Sequence, residues 1–432
     1  MSALQFPAEP FPDLVDESLD EATFLWGGWE RELSSLTRNL DEVWSWTEDR
    51  LHGALDGIRV AGSGVVDVAT KGLLSDEIDR IAVSAGVLAS SGEQGADGAM
   101  AAVLGAAEGK KLRAMLRGVE LLGSDQGVKA AVSVLAARGP AYAGALCRLK
   151  AFRRSALGNE LASALKSDIP EIKVDALRAA AHAPSGAVDE WIVAALRSDD
   201  ALVRSAAVES GVSRGIAHAL EAARRLATAR EADSGNYLKL VALLGTAEQH
   251  EIVYTALRIP ELQMPALWAL GHVGTVRAAE SCLAGMKHEK FARASGEAYC
   301  WITGADLGRD GLEKKEIPPE VPPFEEDDLN ANLVPPPEAL WPVPDPEAAR
   351  EHWLARRAGF AADVRHVHGR PATPATVAAM IETGPMLRRP DLVLELRART
   401  RGRYDVEPGA FAARQRQMMA AGRAALFGRE GR

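Results

Sequence analysis

The residues best suited by type to do chemistry are two His-Glu dipeptides, His250-Glu251 and His288-Glu289. An imidazole beside a carboxylate offers two metal ligands, and a helical-repeat protein can aim several such pairs at a shared iron ion. This chain carries only two, in unlike surroundings, and His288-Glu289 sits in the charged turn MKHEKF. Solvated turns account for both. His366-Val367-His368 offers two imidazoles through alternate residues of a strand. No third ligand stands nearby, and a zinc site takes at least three from the protein. Cys282 and Cys300 lie eighteen residues apart with no Cys-x-x-Cys spacing. Gly62-Ser63-Gly64 lacks the lysine and hydroxyl of a phosphate loop, and no Gly-x-Ser-x-Gly elbow occurs. The expectation is therefore no metal, no cofactor and no catalytic residue. An enzyme built from distant residues on a helical scaffold is the alternative.

The elements that would have to position any site are helices. Leu161–His182 reads LASALKSDIPEIKVDALRAAAH, and Trp191–Val212 reads WIVAALRSDDALVRSAAVESGV. Each runs an apolar helix, a Ser-Asp turn and an Ala-rich amphipathic helix. Ile252–Val273 and Cys282–Gly304 repeat the shape at a period of about thirty residues. Self-similarity at this period means stacked helical hairpins, since one hairpin cannot bury its apolar face alone. The fold class is all-α, a HEAT-like α-solenoid. Second helices are expected near Lys173–Ala181, Ala201–Val212 and Pro265–Val273, with Leu177, Leu196, Val203, Leu257 and Leu270 buried between layers. Ala61–Gly127 reads as degenerate repeats, the later part looser and Gly-rich.

The chain divides into an N-terminal helical cap (1–60), the repeats (61–310), a Pro-rich acidic linker (311–346) and an Arg-rich C-terminal segment (347–432). In the cap, Trp29, Leu33, Leu36, Leu40 and Val43 are spaced 4-3-4-3, a helical stripe, and Asp41 is a candidate cap for a further helix. Four of the nine tryptophans fall between Trp26 and Trp46. They suit either a partner-binding patch or a lid over the open end of the repeats, and terminal repeats need such a lid. Proline at the density of residues 316–346 forbids helix. That stretch reads as a linker, a strap, or a docking strip around Trp341.

The 432 residues carry a net charge of -10, which argues against a nucleic-acid binder, since phosphate contacts need basic surface. The split is uneven. Residues 347–432 hold sixteen arginines, no lysine and nine acids, a net charge of +7, so the rest is net -17. Such a dipolar chain can fold back on itself or pair head to tail. Arginine in place of lysine suits bidentate contacts to carboxylates. Arg388, Arg389, Arg397 and Arg399 are expected to face acids of this chain or of another protein. Asp391 and Glu395 satisfy some of them locally at i,i+4 spacing. Trp341, Trp353, Arg388 and Arg389 are the candidate partner-binding residues. Three cysteines in apolar helical context fit a reducing compartment, and no apolar run reaches the roughly 20 residues of a membrane span. The N-terminus lacks a signal peptide's basic and apolar regions, so a cytoplasmic protein is expected.

Three groups of segments carry a family resemblance. Asp20–Gly62 contains DEATFLW and DRLHGALDGIRVAG. Glu297–Gly304 reads EAYCWITG. The C-terminal part holds WPVPDPEA, then Trp353, Phe360, RHVHGRP and RRPDLVLELRARTRGRYDVEPGAFAARQ. Together they resemble a family of bacterial HEAT-repeat proteins from proteobacteria and myxobacteria. The likeness spans nearly the whole chain and departs at Gly27–Asn39, where GGWERELSSLTRN stands in place of a shorter, more basic stretch. The resemblance implies no enzymatic activity. Genes of this family are often met beside type VI secretion components. That implies a scaffold or adaptor, or a chaperone-like accessory for secretion cargo, whose partner is a spike, adaptor or effector protein.

Overall fold

The computed structural model describes residues 12–60, 62, 64–184, 186, 188–314 and 341–428. Among them the fold is all-α apart from one short hairpin and one isolated bridge. No described helix is long and apolar enough to cross a membrane. The core of the expected linker, residues 315–340, lies outside the described residues. The chain separates into two units, Met1–Ala219 with Met380–Arg432, and Leu220–Ala379. The Arg-rich C-terminal segment is thus divided between them.

The first unit opens with the helix Pro12–Glu32, which buries Leu19, Ala22, Trp26 and Trp29. The stripe from Trp29 to Val43 is not one helix. The chain leaves helix after Glu32 and restarts at Leu40, because Asn39 caps the new start. Its side chain accepts from the Asp41 and Glu42 N–H groups, and Glu42 accepts from the Asn39 N–H. This capping box satisfies orphan donors from both directions. Asp41, the expected cap, is already inside the helix. Trp26 and Trp29 are buried, as a lid requires, while Trp46 is exposed.

Beyond the cap the longer helices form a layer. Ile78–Ser91 lies against Gly109–Leu122, which touches Ala143–Phe152, followed by Pro170–Ala180 and Ala201–Ser213. Shorter helices back this layer, with Asn159–Leu165 on Pro170–Ala180 and Asp189–Ala195 on Ala201–Ser213. This is solenoid-like stacking, with the expected second helices in place. The Gly-rich stretch read as degenerate belongs to the same layer. A Cβ on Gly118 would run into the Ala82 carbonyl, and one on Gly86 would sit 2.9 Å from the Gly118 carbonyl. Glycine there lets two backbones approach, so it marks tight packing and not a failing repeat.

Ala-rich hairpins leave helix C-termini with unpaired carbonyls, and recurring arginines satisfy them. Arg138, at the end of Asp125–Ala137, donates to the carbonyls of Leu104 (2.8 Å) and Ala107 (2.6 Å). Arg214, at the end of Ala201–Ser213, does the same to Ala180 (2.9 Å) and Ala183 (2.6 Å). Both bonds reach back 34 and 31 residues in each case. Arg153 repeats the device on the Glu120 carbonyl at 3.2 Å. A cation at a helix C-terminus also meets the negative end of the dipole.

In the second unit Gly235–Leu244, Gln263–Val273 and Glu289–Thr303 form the layer. Of the five leucines and valines expected inside the repeats, Leu177, Leu196, Val203 and Leu270 are buried. Leu257 is only half-buried. The helix Glu251–Ala256 ends just before it, and Val253 and Ala256 take the inward positions. Two helices of the layer end in left-handed glycines, Gly274 and Gly304. A small hairpin, His366–Val367 paired with Arg370–Pro371, docks there. The His366 N–H donates to the Gly274 carbonyl (2.8 Å) and the His368 N–H to that of Trp301 (2.7 Å).

Candidate functional site

In the first unit the helix Arg389–Thr400 and the turn after it lie on the ends of the repeat helices. Its C-terminus faces the turn after Pro170–Ala180. There a pocket of about 300 Å³ is lined by four arginines, Arg154, Arg214, Arg397 and Arg401, with His182 and a single carboxylate, Asp405.

Asp405 organises the cluster. Arg154 grips it with both arms of the fork, Nε to Oδ2 at 2.9 Å and Nη2 to Oδ1 at 3.1 Å. Arg397 reaches Oδ1 at 3.3 Å, and His182 Nδ1 stands 3.3 Å from Oδ2. Glu407, two residues on, takes a further contact from Arg154 at 3.3 Å. Burial works to raise the Asp405 carboxyl. The His182 hydrogen bond and the Arg397 and Arg154 guanidiniums outweigh it and hold the group well below the usual carboxylate range. Burial, with the same two guanidiniums, holds His182 below its ordinary value. Its Nδ1 stands 2.8 Å from Arg397 Nη2 and its Nε2 3.2 Å from Arg397 Nη1, so one guanidinium lies against both ring nitrogens. Arg397 Nη2 donates to the Ala181 carbonyl at 2.7 Å.

The chemistry on offer is electrostatic recognition. Three carboxylates compensate three of the guanidiniums, Asp405 and Glu407 beside Arg154 and Arg397, and Asp189 at 2.7 Å from Arg214. The excess charge is that of Arg401, and an anionic oxygen group is what it attracts. His182 is held against Asp405, and of the two hydroxyls in the lining, Ser155 and Ser213, that of Ser213 donates to the Glu209 carbonyl at 2.8 Å.

Of the arginines singled out from sequence, Arg397 lies in this pocket and faces Asp405, while the candidate partner-binding residues fall elsewhere. Arg388 and Arg389 are fully buried and do not offer a partner surface. Arg389 donates to the Ile381 carbonyl, to Met386 Sδ at 3.3 Å and to Gln415 Oε1 at 2.6 Å. It is a packing arginine, and burial pulls it down to about 10. Trp353 is buried too, its ring 5.2 Å from Phe360 and 6.3 Å from Tyr299. Trp341 is half-buried, with its ring 6.4 Å from Trp268 and its carbonyl accepting from Arg293. Each is spent on this chain's own surface. Arg399 makes the expected local pair with Glu395, at 2.9 Å.

His250 and His288 both stand at helix starts, and Glu251 pairs with Arg277. His366 is buried while His368 is exposed on a left-handed residue, so the two imidazoles do not share a side of the strand. Among the described residues no three of His, Cys, Asp and Glu come together as a metal-ligand set. Sequence reasoning missed Arg154, His182, Arg214 and Asp405. The available signal was Asp405-Val406-Glu407, an acidic step inside an arginine-rich segment.

No family model matches the chain. No curated protein matches it either. Among solved structures, the chain is similar to an engineered protein at 18% identity and a TM-score of 0.28, over 66% of this chain and 93% of the other.

Proposed function

We propose that this protein is a protein-interaction scaffold or adaptor. The observation that carries the reading is the stacked layer of the first unit, where successive long helices present a continuous row of side chains. Such layers offer extended binding surface without a catalytic centre. Three large apolar side chains at its hairpins, Ile169, Trp191 and Leu202, are exposed, and contact with another protein would cover them.

The finer reading rests on the family resemblance. In it the chain is a cytoplasmic accessory or chaperone-like adaptor for type VI secretion cargo, holding a spike, adaptor or effector protein. Affinity capture from the source organism with quantitative mass spectrometry tests both levels. A discrete partner, lost from the variant Ile169→Asp/Leu202→Asp, supports the scaffold. A spike or effector as that partner supports the secretion role. Enrichment of nothing beyond an unrelated helical-repeat control would sink the reading.

A further inference from the structure

Among the described residues four non-glycine residues adopt left-handed backbone, and two of them, Arg154 and Arg401, line the same pocket. A bulky side chain at positive φ is an outlier, because its Cβ crowds the neighbouring carbonyl. Both arginines sit at the helix C-terminal position where glycine is the usual residue. Arg154 (φ 57°) repays the strain, since its fork holds Asp405 and Glu407.

Arg401 (φ 52°, ψ 49°) ends the helix Arg389–Thr400, and its side chain is exposed. Among the described residues no hydrogen bond or ion pair holds its guanidinium, and its stem lies 3.6 Å from where a Cβ on Gly215 would be. A glycine stands next door at Gly402. The chain therefore tolerates a strained backbone to place an unengaged guanidinium at the mouth of a pocket that already holds three others. Backbone strain persists where a side chain's position matters to function.

We propose that this pocket is an oxyanion-binding site, with Arg401 as the arm that closes on an incoming carboxylate or phosphate group. The ligand chemistry is already visible in the pocket, where Asp405 shows what the cluster accepts. Arg154, Arg397 and Arg214 are anchored in ion pairs with Asp405, Glu407 and Asp189, while Arg401 retains its donors for the ligand. The inference stands apart from the scaffold reading, and either can fail alone.

The test is titration calorimetry on the full chain in low-salt buffer, with sodium phosphate and separately with N-acetyl-Glu-Glu-amide. The wild type and Arg401→Gly are compared, together with their melting temperatures. At least one probe should bind the wild type, and its affinity should fall tenfold or more in Arg401→Gly. The melting temperature of that variant should hold or rise, because glycine relieves the left-handed strain. Phosphate binding alone points to a phosphate ligand, and peptide binding alone points to a protein carboxylate. The proposal is overturned if neither probe binds or if Arg401→Gly keeps the affinity. It is equally overturned if Arg401→Gly melts lower, since the side chain would then be serving the fold.

Discussion

The side chain of Glu48 accepts a hydrogen bond from the backbone N–H of Ala412, 364 residues later, at 2.7 Å. The Trp29 indole N–H donates to the same carboxyl at 3.0 Å, and Phe411 packs its ring 4.8 Å from Trp29. The lid at one end of the first unit is thus completed by the last part of the chain. Burial dominates this carboxyl and pushes it up to about 7, against the lowering effects of the Ala412 N–H, Trp29 and Arg416. His52 stands at 4.0 Å.

A raised carboxyl stabilises the fold in its protonated form. No penalty exists below about pH 4.5. The penalty grows as pH rises towards 7 and stays constant above, reaching about 3 kcal/mol at about 1.4 kcal/mol per pH unit. Glu48→Gln, which cannot ionise, should flatten that part of the profile. Urea unfolding of both proteins between pH 5 and pH 8 checks it, and parallel profiles would show that Glu48 titrates normally.

Asp405 runs the other way. Its carboxyl is held below the ordinary range, so the stabilisation is complete above about pH 4 and is lost as pH falls further. At neutral pH, Asp405→Asn should cost about 3 kcal/mol, because it leaves Arg397 partly buried without its counter-charge and Arg154 with Glu407 alone. Denaturant midpoints at pH 7 measure this. A loss under a few tenths of a kcal/mol would mean the cluster is solvated.

Gly118→Ala should destabilise the first unit by about 3 kcal/mol, since the added methyl meets the Ala82 backbone and not a movable side chain. Gly98→Ala is the control, as a Cβ there meets nothing. Thermal melts that rank the two alike would refute the close helix contact.

Arg138→Ala and Arg214→Ala should each cost about 2 kcal/mol through carbonyls left unpaired. The two losses should be similar, because the two arginines make the same pair of bonds at the same sequence offsets. Unequal losses would show that the likeness is geometric only.

The hairpins were legible because Leu177, Leu196, Val203 and Leu270 recur at helical spacing, and spacing reports burial directly. Leu257 broke the pattern at a helix end, where one residue decides between inside and edge. The Gly-rich stretch misled because glycine signals a loop by propensity, while Gly118 signals close approach, and only the neighbouring backbone tells the two apart. The charge split pointed to a C-terminal segment whose arginines meet acids of the same chain, and Arg416–Asp41 and Arg357–Glu280 are such contacts, while Arg154–Asp405 runs the other way. Which arginines stay accessible was not legible. Arg388 and Arg389 look like a surface pair but are buried, and Arg389 meets Gln415, 26 residues on and brought there by tertiary contact and not by local pattern.

The bond between Glu48 and Ala412 also sets an order of events during synthesis. At roughly 5–20 residues per second, the ribosome needs roughly 20–70 s to pass from one partner to the other. Throughout that interval Trp26 and Trp29 lack Phe411, and Ser35 and Arg38 lack the N–H groups of Leu387 and Met386. The nascent first unit therefore waits, with indole surface open, until Phe411 has been made. A stop codon just ahead of Phe411 would leave that surface open for good, turning a truncation there into a defect around Trp26 and Trp29.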